Sequence, residues 1–180
     1  LMTASSDVNQ YRDHWGYHYP RSDETVEQCR RTRSDFESIY KGAIVRLPSY
    51  YCIARKNTMI SGKKYVQFCR RNKLPVHPGY PPEGFINKGC SAVCLKTPEA
   101  VYNYAALKKI TEKRLAGYGR IRVRLRAEVM RGKLKDDLRK QLLIRENGRS
   151  RWEKFDFVIN ATYAFGNQFA GWFNFPIKPL

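Results

Sequence analysis

The apolar run Phe155–Ile159 predicts a buried strand near the C-terminal end of the chain. Only Asp156 interrupts it. A strand that is covered on both faces reads as a nearly continuous apolar run, so this pattern is typical of a parallel sheet with helices above and below. The residues that follow include the small Asn160, Ala161 and Ala164, and backbone or a ligand can approach closely there. We therefore expect the rest of the chain to pack around this strand.

Two helices are predicted where a serine precedes an apolar pattern of helical period. Ser22 is the expected N-cap of a helix from Asp23 to about Tyr40, with acidic residues in its first turn. Ser61 is the expected N-cap of a shorter helix over about residues 62–72. In both places the serine hydroxyl can accept a hydrogen bond from a backbone N–H that has no partner within the helix.

A third helix is predicted from Thr97 through Pro98 to about Ala116, because threonine is a good N-cap and proline is tolerated in a first helical turn. Gly117 is expected to end it. Residues 75–89 contain four prolines and three glycines and are predicted to form a long loop. Short strands are expected at residues 43–47, 50–54 and 92–95.

Arginine alternates with apolar residues between positions 120 and 126, which predicts a strand with one basic face. Ile121, Val123 and Leu125 are expected to be buried. Residues on one face of a strand lie about 6.6 Å apart, on the scale of neighbouring phosphates in a nucleic acid. We interpret the basic face as a row of phosphate contacts, with a solvated strand face as the alternative. The row consists of Arg120, Arg122, Arg124 and Arg126.

A β-hairpin is predicted for residues 142–154. Asn147-Gly148 is a strong signal for a two-residue turn, and it lies between the strand-like segments Leu142–Arg145 and Arg151–Lys154. The charged segment before the hairpin, Lys133–Lys140, is expected to form one or two helical turns.

The charge of the chain narrows the choice of partners. Lys and Arg number 34 against 16 Asp and Glu, for a net charge of +18, and half of the basic residues lie between positions 108 and 154. This excess indicates a polyanionic partner, most simply nucleic acid. Besides the arginine row, a second set is expected to contact phosphates without reading sequence: Lys133, Lys135, Arg139, Lys140, Arg145, Arg149 and Arg151. Trp15 and Tyr80 are candidates for stacking on unpaired bases, with packing in the core as the alternative.

The length and composition predict a single folded domain over residues 14–180 after a flexible segment at 1–13. The hydrophobic fraction is 42%, and no apolar run reaches the roughly 20 residues of a transmembrane helix. The five cysteines are expected to be free, buried thiols in a reducing compartment. Cys90 and Cys94 lack the second ligand pair that a zinc site needs, so no metal is expected.

Four segments, in this order, resemble the FAD-dependent oxidoreductases of the D-amino-acid oxidase type. They are His14–Ser22, Ala54–Ser61, Thr97–Tyr102 and Asp156–Ala164. The last is similar to the family's late Rossmann strand, usually Asp-x-Val-Val-Asn-Ala-Thr. The resemblance covers roughly residues 14–176. It implies an α/β fold of mixed α+β character, a truncated FAD/NAD(P)-binding Rossmann-like domain with part of the antiparallel substrate-domain sheet.

The chain departs from this family at the cofactor anchor. It contains no Gly-x-Gly-x-x-Gly turn, whose backbone N–H groups hold the FAD pyrophosphate, and it lacks the family's C-terminal part. With the basic charge, this absence predicts a non-catalytic structural subunit derived from such an enzyme, without a cofactor. It would bind ribosomal RNA phosphates and neighbouring protein subunits in a large ribonucleoprotein, and a mitochondrial ribosome in the matrix is the preferred assembly.

Two alternatives remain open from the sequence. In the first, the chain is part of a genuine FAD-dependent amine or amino-acid oxidoreductase, and the cofactor carries out hydride transfer. The resemblance then implies that the flavin or substrate is lined by His14, His18, Tyr19 and Arg21, and that the cofactor is approached by Asn160, Ala161 and Thr162. A packed aromatic corner is the alternative for the histidines. In the second, the chain is an accessory subunit of a respiratory or ATP-synthase complex.

Overall fold

The computed structural model describes residues 1–3, 6–135, 139–162 and 165–177. Within these residues the protein is a mixed α/β structure with four α-helices and three separate sheets, so the expected mixture of helices and strands is confirmed. The parallel sheet expected around Phe155–Ile159 is not found among the described strands, which all pair antiparallel. The chain divides into two compact units: unit 1 is Leu1–Ile121 and unit 2 is Arg122–Leu180. None of the described helices is both long and apolar enough to cross a bilayer.

The helices and strands have the following bounds. The helices are α1 Asp23–Tyr40, α2 Gly62–Arg71, α3 Tyr104–Ala116 and α4 Gly166–Trp172. The strands are β1 Ile44–Val45, β2 Ser49–Ala54, β3 His77–Pro78, β4 Ser91–Thr97, β5 Val101–Tyr102, β6 Ala127–Leu134, β7 Lys140–Glu146 and β8 Arg149–Phe155. The sheets have the orders β1-β5, β2-β4-β3 and β6-β7-β8, and every pairing among these strands is antiparallel.

The first two helix predictions are confirmed together with their caps. The Ser22 hydroxyl oxygen accepts a hydrogen bond from the Thr25 backbone N–H at 3.2 Å. The Ser61 hydroxyl oxygen accepts one from the Lys64 N–H at 3.3 Å. Local capping chemistry therefore suffices to predict where both helices begin.

The predicted start of the third helix is wrong. Thr97 is the last residue of β4, where it pairs with Ser49 of β2, and α3 begins seven residues later at Tyr104. Asn103 is its N-cap, with a side-chain oxygen 3.0 Å from the Ala106 N–H. Sheet pairing of Thr97 thus overrides its capping preference. The predicted end is confirmed, because Gly117 is the C-cap.

The core of unit 1 is rich in tyrosine, and its hydroxyl groups have partners. The Tyr17 hydroxyl donates to the Pro75 carbonyl oxygen at 2.6 Å, and the Tyr65 hydroxyl donates to the Tyr17 carbonyl oxygen at 3.0 Å. Gly16 adopts a φ of +105°, and an added Cβ would lie 2.8 Å from a Val26 methyl group. The buried cluster comprises Tyr17, Val26, Tyr51, Tyr65, Phe68, Cys69, Leu74 and Leu95.

One carboxylate is fully buried beside this core. Glu99 is 0% exposed and accepts hydrogen bonds from the Arg12 guanidinium at 2.6 Å, the Trp15 backbone N–H at 2.9 Å and the Tyr51 hydroxyl at 2.7 Å. The Arg12 guanidinium also lies 4.5 Å from the centroid of the Tyr51 ring. A buried charge is tolerated when it is paired and hydrogen-bonded in this way. Glu99 therefore ties residues 12–15 to β2.

The predicted hairpin is confirmed as β7 and β8. Asn147 and Gly148 have φ values of 51° and 76°, the left-handed conformations that a type I′ turn requires at both central positions. The helical turns predicted for Lys133–Lys140 do not form at the two ends of that segment. Lys133 belongs to β6 and Lys140 to β7, and residues 136–138 lie outside the described residues.

The strand predicted at positions 120–126 is absent. This segment has no helix or strand assignment, and Ile121, Val123 and Leu125 are exposed rather than buried. Arg126 has a φ of 55°, which interrupts an extended conformation. The Arg124 guanidinium contacts carboxylates on two strands, Glu146 at 2.7 Å and Glu153 at 2.8 Å. Arg124 is thus engaged in ion pairs with two strands, whereas the alternating pattern predicted that it belongs to a strand itself.

The buried strand predicted for Phe155–Ile159 is also wrong. Phe155 ends β8, where it pairs with Lys140, the first residue of β7. Among the described residues the pairing of β8 with β7 ends at that pair, and residues 157–162 form no strand. Phe157 is 87% exposed and Ile159 is 93% exposed. Residues 163 and 164 of the same motif lie outside the described residues.

The prediction that all five cysteines are free is wrong. Cys52 and Cys94 face each other across β2 and β4 and form a disulfide. Cys29, Cys69 and Cys90 are free thiols. Cys69 is the buried one, and burial raises the pKa of its thiol to about 11. The expectation of a reducing compartment stays a prediction.

Candidate nucleic-acid interface

The three-stranded sheet of unit 2 has two chemically different faces. Side chains alternate between the faces along each strand, and the pairing register places Gly132, Leu142 and Glu153 in one row. A Cβ at Gly132 would meet the Phe173 ring at 2.6 Å, so the segment that ends α4 packs closely on this side. We call it the packed face.

The opposite side of the sheet, which we call the basic face, carries most of the exposed charge. Four of its residues are cationic and one, Glu128, is acidic. Glu128 lies opposite Arg145 in the register, and their carboxylate and guanidinium are 2.5 Å apart. The rows of this face are Glu128, Arg145 and Ser150; Arg131, Leu143 and Trp152; and Lys133, Gln141 and Lys154.

An exposed tryptophan lies among these cations. Trp152 is 41% exposed, and the Lys133 ammonium lies 4.2 Å from the centroid of its ring. Lys154 follows two residues later on the same strand, and Arg131 occupies the same row on β6. Among the described residues, Arg131, Lys133 and Lys154 have no acidic partner within an ion-pair distance. The face therefore combines unpaired positive charge with an exposed aromatic ring.

The structure brings together only part of the basic set predicted from the sequence. Lys133 and Arg145 lie on the basic face. Lys140, Arg149 and Arg151 lie on the packed side of the same sheet. Lys135 and Arg139 flank the connection between β6 and β7, where the Lys135 N–H donates to the Arg139 carbonyl oxygen at 2.9 Å.

The arginine row does not form, because its strand is absent. The hydrogen bond from Arg124 holds the pKa of Glu146 below its usual value, and Arg124 is thereby engaged by two carboxylates. Arg120 belongs to unit 1, whereas Arg122 and Arg126 belong to unit 2. A phosphate contact by any of the four remains a prediction that no longer rests on a common strand face.

Sequence reasoning missed Arg131, Trp152 and Lys154. A signal for two of them exists, because the Asn147-Gly148 turn fixes the register of the hairpin. Counting outward from that turn places Trp152 and Lys154 on the same face as Arg145. Arg131 carries no such signal, since β6 was not predicted.

The aromatic residues predicted to stack on bases are in unit 1. Trp15 is covered by the Arg33 guanidinium, 3.8 Å from its ring centroid, and its indole N–H donates to Asp13 at 3.3 Å. Tyr80 is 37% exposed, and the Lys88 ammonium lies 5.7 Å from its ring centroid. Trp15 is thus part of the packing of unit 1, whereas Tyr80 lies at its surface.

The residues predicted to line a flavin are divided between the two units. In unit 1 the His14, His18 and Tyr19 rings contact one another, with centroid distances of 6.0 to 6.4 Å. His18, Tyr19 and Arg21 line a cavity of about 310 Å³. Burial lowers the pKa of His14. Asn160, Ala161 and Thr162 lie in unit 2, where the Asn160 side-chain oxygen accepts from the Thr162 N–H at 3.1 Å.

A second buried carboxyl lies beside this aromatic corner. Asp13 is 4% exposed, and burial, followed by its contact with Glu37, raises its pKa from 3.8 to about 6. The Trp15 indole N–H and the charge of Arg33 oppose this rise. Asp13 therefore takes up a proton in the folded state at a pH where an ordinary aspartate is ionised.

We expect Asp13 to make the stability of unit 1 depend on pH. Because its folded pKa of about 6 exceeds the ordinary 3.8, the folded state binds more protons between these values. The free energy of unfolding should therefore fall as the pH rises from about 4 to about 6. Asp13→Asn keeps an acceptor for Trp15 and should remove this contribution. Urea unfolding at several pH values, compared between wild type and variant, measures it; equal slopes would contradict the prediction.

Known proteins offer no guide to the function. No protein-family model, curated protein or solved structure matches the chain. Among the described residues no group of three or more His, Cys, Asp or Glu side chains is placed to hold a metal ion.

Proposed function

We propose that this chain is a non-catalytic structural subunit that binds RNA phosphates through the basic face of unit 2. The observation that carries this proposal is the concentration of four cations and one acid on the side of the sheet opposite the packed face. The net charge of +18 supports the same class of partner. Contacts of this kind position a nucleic acid without reading its sequence.

The number of cations sets the expected salt dependence. Arg145 is shared with Glu128 at 2.5 Å, which leaves Arg131, Lys133 and Lys154 as the main phosphate partners. Each phosphate neutralised on a single strand contributes a slope of about 0.7 in log affinity against log salt, so three contacts give about 2. The contribution is electrostatic and independent of base sequence.

We further propose that the partner is ribosomal RNA in a large ribonucleoprotein, with a mitochondrial ribosome as the preferred assembly. Neighbouring protein subunits belong to this proposal, because Phe157 and Ile159 are 87% and 93% exposed and lack a covering layer among the described residues. The four oxidoreductase-like segments support descent from a Rossmann-like flavin domain. Without a Gly-x-Gly-x-x-Gly turn, no bound cofactor is expected.

A salt titration tests the proposal. The binding of the full chain to a fluorescent single-stranded RNA is measured between about 50 and 200 mM salt, with a slope of about 2 or steeper expected. An affinity that does not change over this range would exclude phosphate binding. Preference for anionic lipid vesicles over RNA would favour the accessory subunit of a respiratory or ATP-synthase complex instead.

A flavin-dependent amine or amino-acid oxidoreductase is the second candidate. It is favoured by the cavity of about 310 Å³ beside His18, Tyr19 and Arg21, which lies in one of the segments that resemble this family. Addition of FAD to the full chain should then perturb the flavin absorption spectrum, and His18→Ala should weaken the effect. A colourless native complex that leaves the FAD spectrum unchanged would argue against this candidate.

A further inference from the structure

We propose that the basic face selects single-stranded RNA by stacking one base on the indole of Trp152. This inference rests on the proposed function and deepens it, because phosphate contacts alone accept any polyanion. Trp152 lies on β8, in the same row as Leu143 of the central strand. It is 41% exposed, so part of its ring is available at the surface of the sheet.

The Lys133 ammonium now occupies a position over this ring, 4.2 Å from its centroid. An exposed cation–π contact of this type favours the covered ring over the uncovered ring by about 2- to 5-fold. Stacking of a base on an aromatic side chain changes affinity about 5- to 150-fold per base. A base is therefore the stronger partner of the ring and displaces the ammonium.

The displaced Lys133 side chain can still contact the bound RNA from the same face. Its four-carbon stem lets the ammonium swing from the ring to a phosphate of the bound strand. Lys154 is two residues from Trp152 along β8, a separation of about 6.6 Å, and Arg131 is in the same row two strands away. Cations thus lie on more than one side of the stacked base, where the backbone of a single strand enters and leaves.

Duplex RNA cannot use this arrangement. Its bases are stacked within the helix, and its major groove is too narrow for side chains to enter. A duplex therefore contacts the cations of the basic face but leaves Trp152 without a base. Preference for single strands should accordingly depend on Trp152, whereas the salt slope should depend on the cations.

The test uses the full chain, a single-stranded RNA of about ten nucleotides and a duplex of the same length. In wild type, the single strand should quench tryptophan fluorescence and bind more tightly than the duplex. Trp152→Leu should lose the quenching and weaken single-strand binding about 5- to 150-fold, with duplex binding unchanged. Trp152→Phe keeps a stacking ring and should lose the quenching while retaining most of the affinity. Trp172→Phe, on the packed side, should retain both.

Two further outcomes separate this inference from the proposed function. Lys133→Met should lower the salt slope by about 0.7 and leave the quenching intact, because the ring is then uncovered. Salt-dependent binding with equal affinity for single strand and duplex, and no effect of Trp152→Leu, would overturn the inference alone. Absence of salt-dependent RNA binding in wild type would overturn the proposed function as well. Unchanged far-ultraviolet circular dichroism of each variant confirms that the sheet is intact.

Discussion

Glu99→Ala is expected to lower the free energy of unfolding of unit 1 by about 3 to 5 kcal/mol, the range for removing one partner of a buried ion pair. The change leaves the Arg12 guanidinium without its carboxylate partner at 2.6 Å. It also removes the acceptor of the Trp15 backbone N–H and of the Tyr51 hydroxyl. Urea unfolding at neutral pH, followed by circular dichroism and tryptophan fluorescence, measures the loss.

Two variants control this result. Glu99→Gln keeps a hydrogen-bonding side chain of the same size but removes the charge, so its effect should be smaller than that of alanine. Glu27→Ala removes an exposed partner of Arg30, which lies 3.1 Å away on the same helix. Exposed pairs of this kind contribute about 0.5 kcal/mol or less. A Glu99→Ala effect as small as that of Glu27→Ala would show that the buried network does not stabilise the fold.

The second large effect is expected for RNA binding. Simultaneous replacement of Arg131, Lys133 and Lys154 by glutamine should weaken single-stranded RNA binding about 10- to 100-fold at low salt and lower the salt slope by about 2. These side chains lie on one face of the sheet, so their removal abolishes the main phosphate contacts. Fluorescence anisotropy at four or five salt concentrations gives both quantities.

The chain offers a matched control on the other side of the same sheet. Replacement of Lys140, Arg149 and Arg151 by glutamine also removes three positive charges, but on the packed side. If phosphates contact the basic face directly, this second triple variant should weaken RNA binding much less than the first. Equal losses from the two variants would mean that net charge, and not the basic face, governs binding. Because these three residues belong to the basic set predicted from the sequence, the same measurement tests their role.

Part of the candidate interface was predictable, because it depends on local turn chemistry. Asn147-Gly148 determines the register of β7 and β8, and that register assigns Arg145, Trp152 and Lys154 to one face. β6 was not predictable in the same way. Its pairing with β7 includes a register shift between Val129 and Arg131, so that simple alternation fails to assign these side chains to faces.

The amino-acid sequence by itself determined the elements whose hydrogen bonds are satisfied locally. The starts of α1 and α2 follow from Ser22 and Ser61, the end of α3 follows from Gly117, and the hairpin follows from its turn. Each depends on residues within one helical turn or one two-residue turn. The excess of basic residues, and with it the class of partner that we propose, is also a property of composition alone.

Only the tertiary structure decided which extended segments become strands and where charges point. A strand needs a partner for its backbone N–H and C=O groups, and sequence alternation does not supply one. Residues 155–159 have a strand-like pattern, but among the described residues their pairing ends at Phe155 and Lys140. The segment around Arg124 alternates perfectly, yet it forms no strand, and Arg124 pairs with Glu146 and Glu153 from two different strands. Long-range pairing of backbone and charge therefore overrode local pattern at both places.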